Sequence, residues 1–189
     1  MIVALNQLDV QIFTTINQLM KEWNWPHSIV IAFSDQNLWG SIFAVVLVVG
    51  LIKKNKTIIA FFMTSFIAAG ISDYLAYQWL KPAFSRERPC YALLDVVVYQ
   101  SSCGSQYGFP SNHATNALAI FVVFIFFVKR SFYRFIATLI VLLVCLSRVF
   151  IGVHYLGDVI GGAILGAASA GIVLVLTGKL RNLYLQSTS

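Results

Sequence analysis

Apolar residues run with few interruptions through residues 38–52, 57–80, 112–128, 132–150 and 158–178, and polar or charged residues collect in the gaps between them. Most of these runs approach the ~20 residues an α-helix needs to cross a bilayer. The pattern predicts an all-α, polytopic helical bundle with five spans. The first 37 residues follow a different rule. Leu5, Leu8, Ile12, Ile16 and Leu19 recur at helical spacing, while Asn6, Asp9, Gln11 and Asn17 interrupt them, which suits an amphipathic helix lying in the interface. A second short apolar stretch, 26–33, follows Trp23 and Trp25, aromatic residues that favour the headgroup level. If these pieces join into a tilted span the count becomes six, although Pro26 opposes one unbroken helix. The expected organisation is an N-terminal segment 1–37, a transmembrane domain 38–180 carrying the chemistry, and a tail 181–189.

Composition strengthens the membrane reading. Hydrophobic residues make up 59% of the 189, charged residues 11%, and the mean hydropathy is +0.80. Soluble domains carry roughly 25% charged residues. The net charge of +6 does not point to nucleic acid, because the basic residues occur in short groups between apolar runs, as anionic headgroups and membrane topology require. The start, Met1 to Leu5, lacks the basic flank of a signal peptide, so insertion is expected to rely on the spans themselves.

The basic residues also predict orientation. Lys53, Lys54, Lys56, Lys129, Arg130, Arg134, Lys179 and Arg181 fall on one side of the alternating spans, and loops rich in Lys and Arg stay in the cytoplasm. The opposite side receives Lys21, Lys81, Arg86, Arg88, Arg148, all three histidines and the acids. The polar chemistry therefore faces the periplasm or cell exterior. There Cys90 and Cys103 share the longest external loop, 89–109, where an oxidising compartment permits a disulfide, while Cys145 sits in a span as a small packing residue.

Three groups of residues carry the candidate chemistry: Lys81 with Arg88-Pro89, then Pro110-Ser111-Asn112-His113, then Ser147-Arg148 with His154 and Asp158. Each stands at an end of an apolar run, and all three can reach one membrane face. Two histidines, three fixed cations and a carboxylate are what phosphoryl transfer through a histidine nucleophile needs, since the moving group's charge must be neutralised. His154 and Asp158 are four residues apart, so a helix beginning near His154 places both on one face. Arg86 and Glu87, between Lys81 and Arg88, read as a solvated pair that shapes the loop. No acid cluster offers the several ligands of a zinc or magnesium site, so neither metal nor cofactor is expected and activity should survive chelators. Gly157, Gly161, Gly162 and Gly166 read as close-packing positions in the last span rather than a nucleotide loop.

These motifs resemble those of the type 2 phosphatidic acid phosphatases, which share a core with vanadium-dependent haloperoxidases. Lys81 and Arg88-Pro89 match that family's first motif; Pro110, Ser111 and His113 match its second, with Asn112 in the glycine position; Ser147, Arg148, His154 and Asp158 match its third. The resemblance implies that His154 attacks phosphorus, that Asp158 orients its imidazole, and that His113 protonates the leaving oxygen and later activates water. It also implies that Lys81, Arg88, Ser111, Asn112 and Arg148 hold the phosphate, with Asn112 presenting its backbone amide. The implied function is an integral membrane phosphatase of the bacterial inner membrane, acting on an anionic phospholipid or polyprenyl phosphate of the outer leaflet. Candidate substrates are undecaprenyl pyrophosphate, placed first because short chains with minimal loops suit small bacterial members, phosphatidylglycerol phosphate, phosphatidic acid and lipid A 1-phosphate. A vanadate-dependent haloperoxidase and a non-catalytic lipid-binding or transport protein are the alternatives, which phosphate release from a lipid would separate.

Overall fold

The computed structural model describes residues 2–22, 27–100 and 102–187, with side chains for 6–22, 27–100 and 102–178. Trp23, Trp25 and Pro26, which bear on the interfacial reading of the N-terminal region, lie outside the described residues. Those described form α1 (Ile2–Glu22), α2 (His27–Ser34), α3 (Gln36–Ile52), α4 (Lys56–Leu75), α5 (Lys81–Phe84), α6 (Pro89–Ala92), α7 (Asn112–Phe127), α8 (Ser131–Phe150) and α9 (Leu156–Ser187). A π-helical turn, Ala76–Leu80, joins α4 to α5, so that Lys56–Phe84 runs as one 29-residue helix.

This is an all-α, polytopic membrane bundle. Three helices, Lys56–Phe84, Ser131–Phe150 and Leu156–Gly178, are long and apolar enough to cross a bilayer. The remaining spans are less regular than the five expected runs. Residues 38–52 do not stand alone: α2 and α3 pass the same test only as a pair bent by 55°. The bend has a local cause. The Asp35 carboxylate accepts from Asn37 N at 2.8 Å and Leu38 N at 3.4 Å, which caps a new helix immediately after Ser34. Asn55 restarts the chain in the same way, accepting from Thr57 N and Ile58 N at 3.1 Å. The central helix α7 has only 16 residues, about 24 Å of rise against a hydrocarbon core of ~30 Å. The helix is thus too short to cover that thickness by itself.

The bundle is built with small and hydroxylated residues inside and large apolar residues outside. Ala68, Ala119 and Ala170 are fully buried and Ser65, Ser72 and Ser169 are nearly so, while Val45, Phe66, Ile164 and Ile172 are each at least 60% exposed. That inversion is expected where hydrocarbon is the solvent and helices associate through close backbone approach. The tightest contact is between α9 and α7. A Cβ at Gly166 would collide with the Thr115 carbonyl oxygen and sit 3.0 Å from Ala119 N, and one at Gly162 would strike Ser111 O.

The N-terminal helix is held to the bundle by more than its apolar periodicity. Its expected apolar positions Leu8 and Leu19 are exposed, whereas Phe13, Asn17 and Met20 are buried, and the helix packs against α8 and α9. The polar residues that interrupt the apolar pattern are its anchors. Asn17 donates to Val97 O at 2.9 Å and accepts from Val97 N at 3.1 Å, pinning the loop around residue 97 to α1. At the far end of the bundle, Arg134 does more than mark topology: its Nε donates to Val128 O and its Nη2 to Ile125 O, both at 2.7 Å, closing the open carbonyls of α7.

Gly166→Ala is expected to destabilise the bundle by about 1–3 kcal/mol through forced separation of α7 and α9. Gly171→Ala, where a Cβ meets nothing within 4 Å, should leave the thermal midpoint in detergent unchanged. Equal midpoints for the two variants would contradict the packing argument.

Candidate active site

The three sequence motifs converge at the end of the bundle where α5 ends, α7 and α9 begin and α8 stops. Two backbone facts bring them together. Ser111 N donates to Asp158 O at 2.9 Å, locking the starts of α7 and α9 together. Loop 85–111 then folds down over that junction: Arg88 N donates to Gln106 O at 3.0 Å, Gly108 N to Arg86 O at 2.7 Å and Tyr99 N to Ile151 O at 3.1 Å. Phe109-Pro110 is a cis peptide, and Cys90 and Cys103 are joined by a disulfide with Cα atoms 6.5 Å apart.

A polar cavity of about 980 Å³ opens here, and Lys81, Arg88, Asn112, His113, Arg148 and His154 all line it. Ser111 and Asp158 are fully buried behind this lining. The cations are buried too, with Lys81, Arg88 and Arg148 each 8% exposed or less. Backbone carbonyls hold Lys81 and Arg88, and a hydroxyl holds Arg148, in place of carboxylates. Lys81 Nζ donates to Pro110 O at 3.1 Å and Tyr107 O at 3.3 Å; Arg88 Nε donates to Ser105 O at 2.6 Å and its Nη1 to Val153 O at 3.3 Å. Arg148 Nη1 donates to Ser34 Oγ at the α2–α3 bend. Among the described residues, Ser111 Oγ and Arg148 Nε are buried atoms of this site with no hydrogen-bond partner. A tetrahedral oxyanion would supply what they lack.

The imidazole of His154 is set in one tautomer by its neighbours. Arg88 Nη1 lies 2.7 Å from Nε2, and a guanidinium has no acceptor, so Nε2 must be unprotonated. Nδ1 then carries the proton and faces Asp158 Oδ2 at 3.3 Å. His154 lies just before α9 rather than inside it; Asp158 sits in the first turn and also accepts from Tyr155 N at 3.1 Å. Burial, then the positive charges of Arg88, Arg148 and Lys81, holds the His154 pKa well below its ordinary value. The ring is therefore neutral, with a lone pair at Nε2 available to an electrophile. Asn112 commits its side chain to Asp73, donating to Oδ1 at 2.6 Å, which leaves its backbone amide in the first turn of α7, where free amides favour an anion.

A family model described as the PAP2 superfamily matches residues 38–182. The chain belongs to the PAP2 superfamily. It is similar to a lipid A 4'-phosphatase of Bacteroides thetaiotaomicron, with 26% identity over 95% of this chain and 81% of that protein. It also matches a lipid A 4'-phosphatase of Porphyromonas gingivalis, with 38% identity over 51% of this chain and 42% of that protein. A phosphatidylglycerophosphatase B of Bacillus subtilis matches with 37% identity over 50% and 48%. The chain thus spans less than half the length of the latter two. Two crystal structures share its fold: a transmembrane PAP2 type phosphatidylglycerolphosphate phosphatase from Bacillus subtilis, TM-score 0.70 and 23% identity over 93% of this chain and 87% of that one, and Aquifex aeolicus LpxE, TM-score 0.66 and 20% identity over 88% and 94%. The chain is accordingly an integral membrane phosphatase.

Within this PAP2 site, sequence reasoning missed several residues. Arg86 is not a solvated partner of Glu87. It donates to Asp158 Oδ1 at 2.7 Å, while Glu87 instead accepts from Gln106 Nε2 at 2.6 Å. Ser34, Asp73 and Asp9 also touch site residues. A carboxylate such as Asp73, in the middle of an apolar run, is a signal that sequence carries; Ser34 carries none.

A neutral buried histidine has a pH signature. The unfolded chain binds a proton there near pH 6.5, and the folded chain does not, so the stability gained is complete above that pH and is lost as pH falls toward the folded value. The thermal midpoint in detergent should decline below about pH 6.5, and His154→Gln should shallow that decline. An unaltered acid profile would show that His154 is not held neutral.

Proposed function

We propose that this PAP2 protein hydrolyses the phosphate of an anionic lipid in the outer leaflet of a bacterial inner membrane, through a phosphohistidine at His154. The observation that carries this reading is the set of three buried cations and two partnerless donors around one neutral imidazole whose free nitrogen faces the same cavity. Lys81, Arg88, Arg148, Ser111 and the Asn112 amide take the nonbridging oxygens, so Arg88 moves from Nε2 onto the substrate as it binds. Nε2 then attacks phosphorus while Asp158 stabilises the proton at Nδ1, and the ester oxygen leaves with a proton from His113. Water, deprotonated by His113, cleaves the P–N bond, releasing phosphate and restoring both rings. Charge neutralisation comes from side chains throughout, so vanadate, which takes up five-coordinate geometry, should compete with substrate.

The cavity is larger than one phosphate requires, and Ser34, Gln36, Asn37, Gln100 and Ser105 add neutral hydrogen-bonding groups to its wall. Such a wall favours a headgroup bearing hydroxyls. The names of the relatives point the same way, bringing a lipid A phosphate and phosphatidylglycerol phosphate ahead of phosphatidic acid. Undecaprenyl pyrophosphate stays among the candidates, its second phosphate filling part of the space. A panel of these four lipids in liposomes, assayed for released phosphate, ranks them; equal rates for all would argue against a selective wall.

Three measurements test the mechanism and its placement. His154→Ala should abolish phosphate release while lipid binding persists, because the cations remain; near wild-type turnover would sink the histidine route. His113→Ala should slow a lipid phosphate far more than an aryl phosphate, whose leaving group scarcely needs a proton. For orientation, an impermeant thiol reagent on mildly reduced spheroplasts should label Cys90 or Cys103 in a Cys145→Ser background. Labelling only after permeabilisation would place the site on the cytoplasmic side.

A further inference from the structure

The charged network behind the imidazole extends beyond the three motifs. Arg86 Nη1 donates to Asp158 Oδ1 at 2.7 Å, and Nη2 donates to Asp9 Oδ2 at 2.7 Å and Asn6 Oδ1 at 3.0 Å. The guanidinium lies over the Tyr155 ring, 4.2 Å from its centroid. The other oxygen of Asp9 accepts from Gly157 N at 3.0 Å, in the first turn of α9. Asp9 belongs to α1 and lies outside residues 38–182, the part matched by the family model.

Geometry gives this network a definite task. A carboxylate has two oxygens, and Arg86 occupies one of them, leaving Oδ2 to face His154 Nδ1 and Tyr155 N. The plane of the carboxylate is thereby set, and with it the proton on Nδ1. Arg86 and Asp9 are absent from the cavity wall, so neither reaches the substrate's phosphate. The side chains of Arg86, Asp9 and Asp158 are only 20%, 13% and 0% exposed, so their attractions are weakly screened by solvent. The approach of α1 requires a glycine opposite: a Cβ at position 157 would stand 2.6 Å from Asp9 Oδ2 and 3.3 Å from Arg86 Nη1.

We propose that Arg86, held by Asp9 of the N-terminal helix, is a positioning residue that fixes the Asp158 carboxylate and through it the tautomer of His154. This rests on the reading of His154 as nucleophile, and it gives α1 a part in the chemistry from outside the motif-bearing region. In the resting site Arg88 also holds the tautomer from the Nε2 side, but once Arg88 has moved onto the phosphate only Asp158 holds it; loss of Arg86 then frees Asp158 to rotate, and the imidazole proton divides between Nδ1 and Nε2. The Nε2-protonated form has no lone pair to offer phosphorus, so turnover falls while substrate binding does not.

The test combines a spectroscopic and a kinetic readout on full-length protein in detergent. In [15N]histidine-labelled protein saturated with inorganic phosphate, which draws Arg88 off Nε2, the ring signals of His154, identified by their loss in His154→Ala, should report the Nδ1–H tautomer alone in the wild type and both tautomers in Arg86→Gln. With a lipid phosphate, Arg86→Gln should lower kcat by about 10- to 100-fold, by analogy with loss of the outer partner that orients a metal-bound histidine, with KM within about twofold. Arg86→Lys should recover part of that loss, since an ammonium keeps the charge but cannot fork between two carboxylates. Asp9→Asn should give a smaller loss of kcat, and the Asp9→Asn, Arg86→Gln double variant should be no slower than Arg86→Gln. An unchanged tautomer in Arg86→Gln overturns the proposal, as does a rise in KM without loss of kcat, or losses that multiply in the double variant. Should Arg86→Gln not fold, Asp9→Asn carries both readouts. A wild type that releases no phosphate, together with a tautomer shift in Arg86→Gln, would sink the phosphatase mechanism and leave the positioning role standing.

Discussion

Lys81, Arg88 and Arg148 are buried in an apolar bundle with no carboxylate bound to any of them, and the rest of the structure is arranged around that fact. The nearest buried acid, Asp158, is taken by Arg86 and by the His154 side of the site. An unpaired buried charge costs several kcal/mol. The chain meets this by turning carbonyl oxygens inward: Tyr107, Pro110, Ser105 and Val153 each supply one. Carbonyl dipoles hold a cation without cancelling it, and an excess of positive charge remains facing the cavity. A counter-ion must come from outside, and the fold makes the most of one carrying several oxygens.

That requirement explains why loop 85–111 is so closely tied down. Its carbonyls replace the hydration of Lys81 and Arg88, so its path has to be accurate, and it is fastened at several points: to α1 through Asn17, to residue 151 through Tyr99, and to itself through Cys90–Cys103. The α7–α9 contact plays the matching part on the other side. Because glycines at 162 and 166 let α9 approach the α7 backbone, Ser111 N can reach Asp158 O, and two motifs far apart in the chain become one wall. The π-helical turn just before Lys81 belongs to the same logic, shifting the helix register where the lysine must point inward.

The irregular spans are a consequence of the same site. A straight α2–α3 helix would not end at Ser34, where Arg148 finds its hydroxyl partner. Membrane helices tolerate such breaks where freed backbone groups find partners within the protein, and Asp35 supplies them at the bend.

Much of this was determined by the sequence alone. The runs 57–80, 132–150 and 158–178 are apolar enough that hydrocarbon is their only suitable surroundings, and the spacing of Lys81, Arg88, His113, Arg148, His154 and Asp158 placed them at one end of the bundle before any geometry was known. Periodicity reads burial correctly where apolar residues face a neighbour, but in lipid the outside is also apolar, so it could not tell inside from outside. Leu8 and Leu19 of α1 are exposed, while the polar Asp9 and Asn17 hold the helix to the rest of the protein. Only the tertiary structure decided what each charge touches. Arg86 and Arg88 are two residues apart in a loop with no periodicity, and whether such side chains meet Asp158, His154 or water depends on contacts across more than 60 residues of chain. Local sequence has no physical means of encoding that choice.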